Sequence, residues 1–353
     1  MRTYKIKEVG KVITGKTPST KNELFYNSKD NMFICPPDIK SVRYITNSEK
    51  YVSSLAFDSC KSIQIAKNSI LIDCIGADLG NVAISTNDSI TNQQINTITN
   101  INENIALPLY LYYFFSTKKA FFHLIGQNGS TMPIINKSMF ENIEINIHDM
   151  PLQQHIVNTI GTIDDLIENK TKIINKLKDI STSLYLIYKQ KESSNIKKLG
   201  DNCDIKTGNL NADANVENGK YKFFTCGSSD LLIDDYKFEG PSIIIAGNGE
   251  INVKYYDGKF NAYQRTYVLQ PKENLYLFLK ECELSVNVLK NNSQGSVIKF
   301  ITKSMLENIE IRINDNSEII NNKIKSIYES ISSTQLEINK LAEIKSLLLS
   351  KYF

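Results

Sequence analysis

One apolar stripe, written twice, constrains this chain more than any other feature. Between Pro151 and Gln190, apolar residues recur at Ile156, Ile160, Ile163, Ile167, Ile174, Leu177, Leu184 and Tyr188. Steps of four and three residues put them on one side of a helix, as a heptad seam does. Adding 164 to each number gives Ile320, Ile324, Ile327, Ile331, Ile338, Leu341, Leu348 and Tyr352. Polar breaks recur in step, at Lys170 and Ser181 in the first stripe and at Thr334 and Lys345 in the second. A single stripe of this kind is ordinarily a core face. Two in one register, each behind a domain-sized segment, indicate a duplicated unit of segment plus helix. Pro151 suits a first helical turn, and no proline interrupts the run after it.

The two segments in front of the helices tell one story. In residues 1–150, YKIKEVGKVITG reads as a strand running into a turn at Gly15. Short strands follow in NMFICPP, SIQIA, SILIDCIG, NVAIS and INTITN, parted by Asn, Asp, Gly and Ser. LPLYLYYFFSTKKAFFHLIG reads as one buried aromatic helix, and KSMFENIEINI as a helical turn and a strand. In residues 195–314, NIKKLGDNCDIKTGN takes the place of the opening and PSIIIAGNG that of NSILIDCIG. NLYLFLKECELSVNVLK stands for the aromatic helix, and KSMLENIEIRI nearly repeats KSMFENIEINI. The middles align poorly, as expected of one scaffold carrying divergent loops. The implied division is a globular domain over 1–150, a long helix over 151–192, a second globular domain over 193–315 and a second long helix over 316–353. A linker is expected around Glu192–Lys198.

A chain of 353 residues can bury a core in each domain. The longest apolar cluster, Ile105–Phe115, is too short and too broken to span a bilayer, and MRTYKIKEVG lacks the apolar stretch of a signal peptide. Six scattered cysteines with no C-x-x-C pair suit reduced thiols and a cytoplasmic location. Net charge is +3, and none of the four segments is strongly basic, so charge alone argues neither for nor against nucleic acid.

The sequence offers no catalytic constellation. GKVITGKT satisfies the G-x-x-x-x-G-K-[ST] phosphate-loop pattern, but Pro18 and a polar loop follow where a helix must open. Cys35-Pro36-Pro37-Asp38 lacks the first and last residues of an amino-methylating loop. None of the three histidines is spaced as a metal ligand, and no metal or cofactor is expected. Asp164-Asp165 and Asp234-Asp235 read as a solvated helix face and a loop. What remains are polar loops occurring at matching places in both segments. Lys16 and Thr17 after Gly15 match Asn209 after Gly208, with Lys206 a further candidate just before that glycine, and Gln93 and Gln94 match Gln264 and Arg265. Gln127, Asn128 and Ser130 match Ser293, Gln294 and Ser296, and Asn248 follows the PSIIIAG strand. Asn, Gln, Arg and Lys pair with base edges, and glycine lets backbone approach phosphate. These are the candidate DNA-contacting residues.

The order segment, helix, segment, helix resembles the DNA-specificity subunits of type I restriction–modification enzymes. VITGKTPS is similar to that family's I-x-x-G-x-T-P-S entry, and INIHDMPLQQHIVNTIGTIDDLIENKTKIINKLKDI to its I-P-L-P-P-L-x-E-Q-x-x-I helix start and I-x-x-L-K core. LLLSKYF is similar to its terminal L-L-x-x-x-F. Gln153-Gln154 stands where the family has Glu-Gln, and INDNSEII lacks the Pro-Leu helix entry. The resemblance implies an α+β fold with two similar mixed α/β target-recognition domains. Two long helices packed as an antiparallel coiled coil would separate them, under an internal pseudo-twofold repeat. It implies a non-catalytic subunit on double-stranded DNA, reading one half-site with each domain. Two copies of a DNA adenine methyltransferase subunit and restriction/translocase subunits would be its partners, with no membrane. A helix from Gln153 to Gln190 would span ~57 Å at ~1.5 Å per residue and act as a ruler between half-sites. The competing expectation is a non-catalytic scaffold whose two domains bind protein.

Overall fold

The computed structural model describes residues 1–40, 42–127, 133–190, 195–227, 231–291 and 300–353. The chain forms two compact units, residues 1–169 with 338–353, and residues 170–337. In the first unit the strands are β1 (Arg2–Lys5), β2 (Lys11–Thr14), β3 (Asn31–Ile34), β4 (Tyr44–Ile45), β5 (Tyr51–Val52), β6 (Gln64–Ile65), β7 (Ile70–Asp73), β8 (Val82–Ser85), β9 (Ser89–Thr91), β10 (Ile95–Thr99) and β11 (Glu144–Ile147). Its own helices are α1 (Ile6–Val9), α2 (Pro36–Ile39), α3 (Ser54–Ser59), α4 (Pro108–Ser116), α5 (Lys119–Gly126) and α6 (Lys137–Glu141). The long helix α7 (Met150–Lys189) follows. The second unit has β12 (Asn195–Lys198), β13 (Ile205–Thr207), β14 (Tyr221–Phe224), β15 (Leu231–Ile233), β16 (Phe238–Glu239), β17 (Ser242–Ala246), β18 (Val253–Tyr256), β19 (Lys259–Ala262), β20 (Thr266–Leu269) and β21 (Glu310–Ile313). Helices α8 (Leu199–Asn202), α9 (Leu275–Asn291) and α10 (Lys303–Glu307) accompany them, and α11 (Ser317–Tyr352) ends the fold.

The sheets of the two units correspond in strand order, except that β4 at the edge of the first unit's larger sheet has no counterpart among the described residues of the second. The first unit has β2-β10-β7-β8-β4 and β5-β3-β9-β6, with β1 paired to β11. The second has β13-β20-β17-β18 and β15-β14-β19-β16, with β12 paired to β21. In each smaller sheet the central pair is parallel, β3 with β9 and β14 with β19. The repeat therefore extends through the middles, where the sequences diverge.

Burial explains the strand sequences. On β7, Leu71 faces Met32, Ile34 and Ile65 of the smaller sheet, whereas Ile70 and Ile72 face Tyr110, Tyr113 and Phe115 from α4. A strand covered on both faces reads as a continuous apolar run, not an alternating one. In β17, Ile244 packs with Phe224 and Phe260, while Ile243 and Ile245 pack with Leu277 and Cys282 of α9.

Each long helix contributes to each unit. In the first, Ile156 and Ile160 enter the core, and Leu348 and Tyr352 pack against it. His155 Nε2 lies 3.1 Å from Tyr352 Oη and Lys345 Nζ 2.7 Å from Asp164 Oδ1, so residue numbers fall on α11 as they rise on α7 and the pairing is antiparallel. In the second unit Tyr185, Tyr188, Ile324 and Tyr328 enter the core, and Lys170 pairs with Glu337. Ile156, Ile160, Ile174 and Ile324 are buried; Ile163, Ile167, Leu177, Leu184, Ile320, Ile327, Ile331, Ile338, Leu341 and Leu348 are half-buried. Two polar breaks, Lys170 and Lys345, are thus halves of ion pairs. The hydroxyls of Ser181 and Thr334 donate back to Lys178 O at 2.7 Å and Ser330 O at 2.8 Å.

Four local expectations change. The opening is not one strand, because the single turn α1 separates β1 from β2. The aromatic stretch forms two helices. Ser116 and Thr117 bond back to Tyr113 O and Phe114 O, and the Thr117 and Lys118 amides take Phe114 O and Phe115 O in tight turns that close α4. Asn195–Lys198, expected as linker, is a strand paired with β21, and residues 191–194 lie outside the described ones. Asp164 is not solvated. It is 6% exposed and accepts from Tyr113 Oη at 2.9 Å and from Lys345, while Asp165 and Glu168 hold the buried Arg43 guanidinium.

Helix α7 also caps the domain it follows. Gln153 is fully buried; its Oε1 accepts from Leu107 N at 2.9 Å, and its Nε2 donates to Ile105 O at 2.8 Å and His148 O at 2.9 Å. This satisfies a backbone donor at the start of α4. In the second unit Asn321 of α11 accepts from Tyr276 N of α9 at 3.0 Å.

Candidate nucleic-acid interface

In each unit three chain segments meet where the two sheets join. In the first unit the chain passes from β9 in one sheet to β10 in the other through the turn Asn92–Ile95. Ile95 N donates to Asn92 O at 3.3 Å, leaving Gln93 and Gln94 at the tip. Asn92 is buried and braces the turn: its Oδ1 accepts from Gln94 N and its Nδ2 donates to Gln94 Oε1, both at 3.0 Å. The segment after β2 lies against this turn, with Gly15 N on Ile95 O at 3.2 Å and Lys16 N on Thr91 O at 2.9 Å. Thr17 Oγ1 donates to Gln93 Oε1 at 2.9 Å, and Tyr26 Oη holds the same loop through Pro18 O at 2.8 Å. The bend after β7 closes the group, Cys74 N donating to Gln94 O at 2.8 Å. The approach is so close that a Cβ on Gly15 would stand 2.1 Å from Asn92 O, which is why a glycine is needed there.

The second unit repeats the arrangement. Thr266 N donates to Tyr263 O at 2.8 Å, putting Gln264 and Arg265 at the tip of the β19–β20 turn. Gly208 N meets Thr266 O at 3.3 Å, Gln264 N meets Leu210 O at 3.0 Å and Gly247 N meets Arg265 O at 2.9 Å. A Cβ on Gly208 would stand 1.7 Å from Ala262 O. These bonds set the correspondence Gly15 with Gly208, Lys16 with Asn209, Gln93 with Gln264 and Gln94 with Arg265. Ile75 corresponds to Asn248, since Ile75 bridges to Ile134 and Asn248 to Phe300. Glycines of positive φ follow both, Gly76 at 86° and Gly249 at 62°.

The candidate residues fall out as follows. Lys16, Thr17, Gln93 and Gln94 gather in the first unit, and Asn209, Asn248, Gln264 and Arg265 in the second. Lys16, Thr17, Gln93, Asn209, Gln264 and Arg265 are exposed. Lys206 is exposed on β13, and Lys237 adds a second cation beside it, its Nζ donating to Thr207 O at 3.2 Å. Gln127 ends α5 next to the bend, because Gly126 O accepts from Ile134 N and Pro133 O from Gly76 N. Asn128, Ser130, Ser293, Gln294 and Ser296 lie outside the described residues. Asn92, Tyr26 and Cys226, whose Sγ lies 3.6 Å from Arg265 O, were not among the candidates. An Asn opening a turn was the one legible signal among them.

The arrangement presents amides, lysines and an arginine from fixed backbone, a set able to pair with base edges and phosphates. It does not cradle a nucleotide phosphate. The Gly15 and Lys16 amides are spent on Ile95 O and Thr91 O, and only the short 3-10 turn Glu23–Phe25 follows. At the bend after β7, burial pushes the Cys74 thiol up to about 12. Asp73, the last residue of β7, is 1% exposed, and burial pushes its pKa up to about 7 against the small opposing effect of the Asn81 amide beside it. Among the described residues no cluster of three or more His, Cys, Asp or Glu is arranged to hold a metal, and no helix is long and apolar enough to cross a membrane.

Residues 1–179 and 191–347 match the family described as type I restriction modification DNA specificity domain. Over 98% of its length the chain is 27% identical to the type I restriction enzyme MjaIX specificity subunit of Methanocaldococcus jannaschii, covering 91% of that protein. A 153-residue stretch is 34% identical to the Escherichia coli type I restriction enzyme EcoDI specificity subunit, spanning 42% of this chain and 34% of that subunit. Among solved structures, the S subunit of a type I restriction–modification system from M. genitalium superposes with a TM-score of 0.63 at 17% identity. The superposition covers 100% of this chain and 96% of that one, a likeness of fold.

Proposed function

Because the chain belongs to the type I restriction–modification DNA specificity family, we propose that it reads a bipartite double-stranded DNA target, one half-site per unit, without chemistry of its own. Two copies of an adenine methyltransferase subunit, and restriction/translocase subunits, supply methylation and cleavage where this chain directs them. The observation that carries the reading is the repeated turn. Two units of matching topology each hold a two-residue tip, Gln93-Gln94 or Gln264-Arg265, at the junction of their sheets. Equal scaffolds with unequal tips are what reading two different half-sites requires. The paired helices α7 and α11 are the proposed docking frame for the partners.

The test is the methylated motif in cells carrying this gene with its methyltransferase neighbour. A motif interrupted by a spacer is expected, and exchanging residues 195–314 for those of another such protein should change one half only. An uninterrupted motif, or one indifferent to the exchange, would sink the reading. Binding by the purified complex should also weaken steeply as salt rises, through released counterions. A complex that ignores DNA at low salt would instead favour a protein scaffold.

A further inference from the structure

The two tips differ chemically at one corresponding position, Gln94 in the first unit and Arg265 in the second. Arg265 is one of only four arginines among 41 basic residues. Of the others, Arg2 and Arg312 lie on the paired strands β1 and β21, away from the tips, and Arg43 is buried in ion pairs with Asp165 and Glu168. The Arg265 backbone is pinned: its carbonyl accepts from Gly247 N at 2.9 Å and faces Cys226 Sγ at 3.6 Å, while the flanking amides of Gln264 and Thr266 are bonded to Leu210 O and Tyr263 O. Its side chain, by contrast, is exposed and makes no hydrogen bond or ion pair among the described residues. Beside it, one residue past Gly247, the Asn248 Oδ1 is buried with no hydrogen-bond partner among the described residues. Gln94 is half-buried and already bonded to Asn92.

A rigid stalk with an uncommitted planar fork, next to an unsatisfied amide, is built to meet something planar that accepts hydrogen bonds. We propose that Arg265 reads a guanine in the half-site of the second unit, its guanidinium donating to the O6 and N7 acceptors in the major groove. Asn248 stands beside it as a second polar contact. At the corresponding place the first unit has Gln94, whose amide is already held by Asn92, so the two half-sites differ there. This rests on the DNA-reading function proposed above.

The experiment uses the purified complex of full chain and methyltransferase subunits with oligonucleotides bearing the wild-type motif. Each guanine of the second half-site is replaced in turn by 7-deazaguanine, which lacks the N7 acceptor. Wild type should lose about tenfold in affinity or more at one of these positions, as a bidentate contact would. Arg265→Gln should show no further loss at that position and keep normal penalties elsewhere, and its methylome should change only within that half. If Arg265→Gln weakens all sequences equally and lowers the salt slope, Arg265 contacts phosphate and the proposal falls. If the variant keeps the wild-type deazaguanine profile, Arg265 reads no base, although a bipartite motif would leave the parent reading standing. Should wild type itself show no bipartite motif, the parent reading fails instead. If Arg265→Gln does not fold, Arg265→Lys is decisive: a point charge without the planar fork should keep affinity for phosphate and lose guanine discrimination.

Discussion

Replacing Lys345 by methionine isolates what a polar residue contributes within an apolar seam. Lys345 Nζ lies 2.7 Å from Asp164 Oδ1, with side chains 24% and 9% exposed. Removing one partner of a fully buried pair costs ~3–5 kcal/mol, because the survivor keeps its desolvation penalty unpaired. Here the loss is smaller for two reasons. Tyr113 Oη still donates to Asp164 at 2.9 Å, and the lysine is partly solvated. A cost of about 2–3 kcal/mol for Lys345→Met is the balance, weighing the buried limit against ~0–1 kcal/mol for an exposed pair. In the double variant Asp164→Asn with Lys345→Met no charge is stranded and Tyr113 keeps an acceptor, so much of the loss should return. Urea unfolding of the full chain, read on the transition of the first unit, measures both. Lys345→Met neutral within about 0.5 kcal/mol, or a double variant no better than the sum of the singles, would show that the pair is not coupled as argued.

Other outcomes follow from the same geometry. Asp73 carries a folded-state pKa raised from 3.8 to about 7 by burial. The folded state thus holds a proton that the unfolded chain releases between those values, and stability should fall as pH rises through ~4 to ~7 and level off above, by a total on the order of 4 kcal/mol at 1.36 kcal/mol per unit. Asp73→Asn should abolish that slope in melting curves taken at pH 5 and pH 8; parallel profiles would contradict it. Gly15→Ala and Gly208→Ala force a Cβ into backbone carbonyls at 2.1 and 1.7 Å, and each should lower stability by more than about 2 kcal/mol; native melting temperatures in both would mean that the approach is slack. Ile324→Asp buries an unpaired carboxylate at a fully buried position and should cost more than about 4 kcal/mol. Ile319→Asp, 55% exposed on the same helix, is the control and should stay within about 0.5 kcal/mol.

Much of this protein is legible in one dimension because periodicity is a local property. Heptads at Ile156–Tyr188 and Ile320–Tyr352 declare two helices, and their shared register declares a duplication. Apolar runs such as SILID and SIIIA declare strands. The pairs of polar loops could be matched by eye, and the family resemblance rests on motifs of the same local kind. Local signals fail where a hydrogen bond joins residues far apart in sequence. Nothing in the spacing of Gly15 and Ile95, or of Gly208 and Thr266, says that their amide and carbonyl meet; that requires two sheets to converge and one turn to cross between them. Nothing local says that Asp164 is buried, since its burial depends on Tyr113 from α4 and Lys345 from α11. The chain's periodicities select its elements. Long-range contacts select which elements neighbour one another, and with them the place where Gln94 and Arg265 come to stand at matching tips.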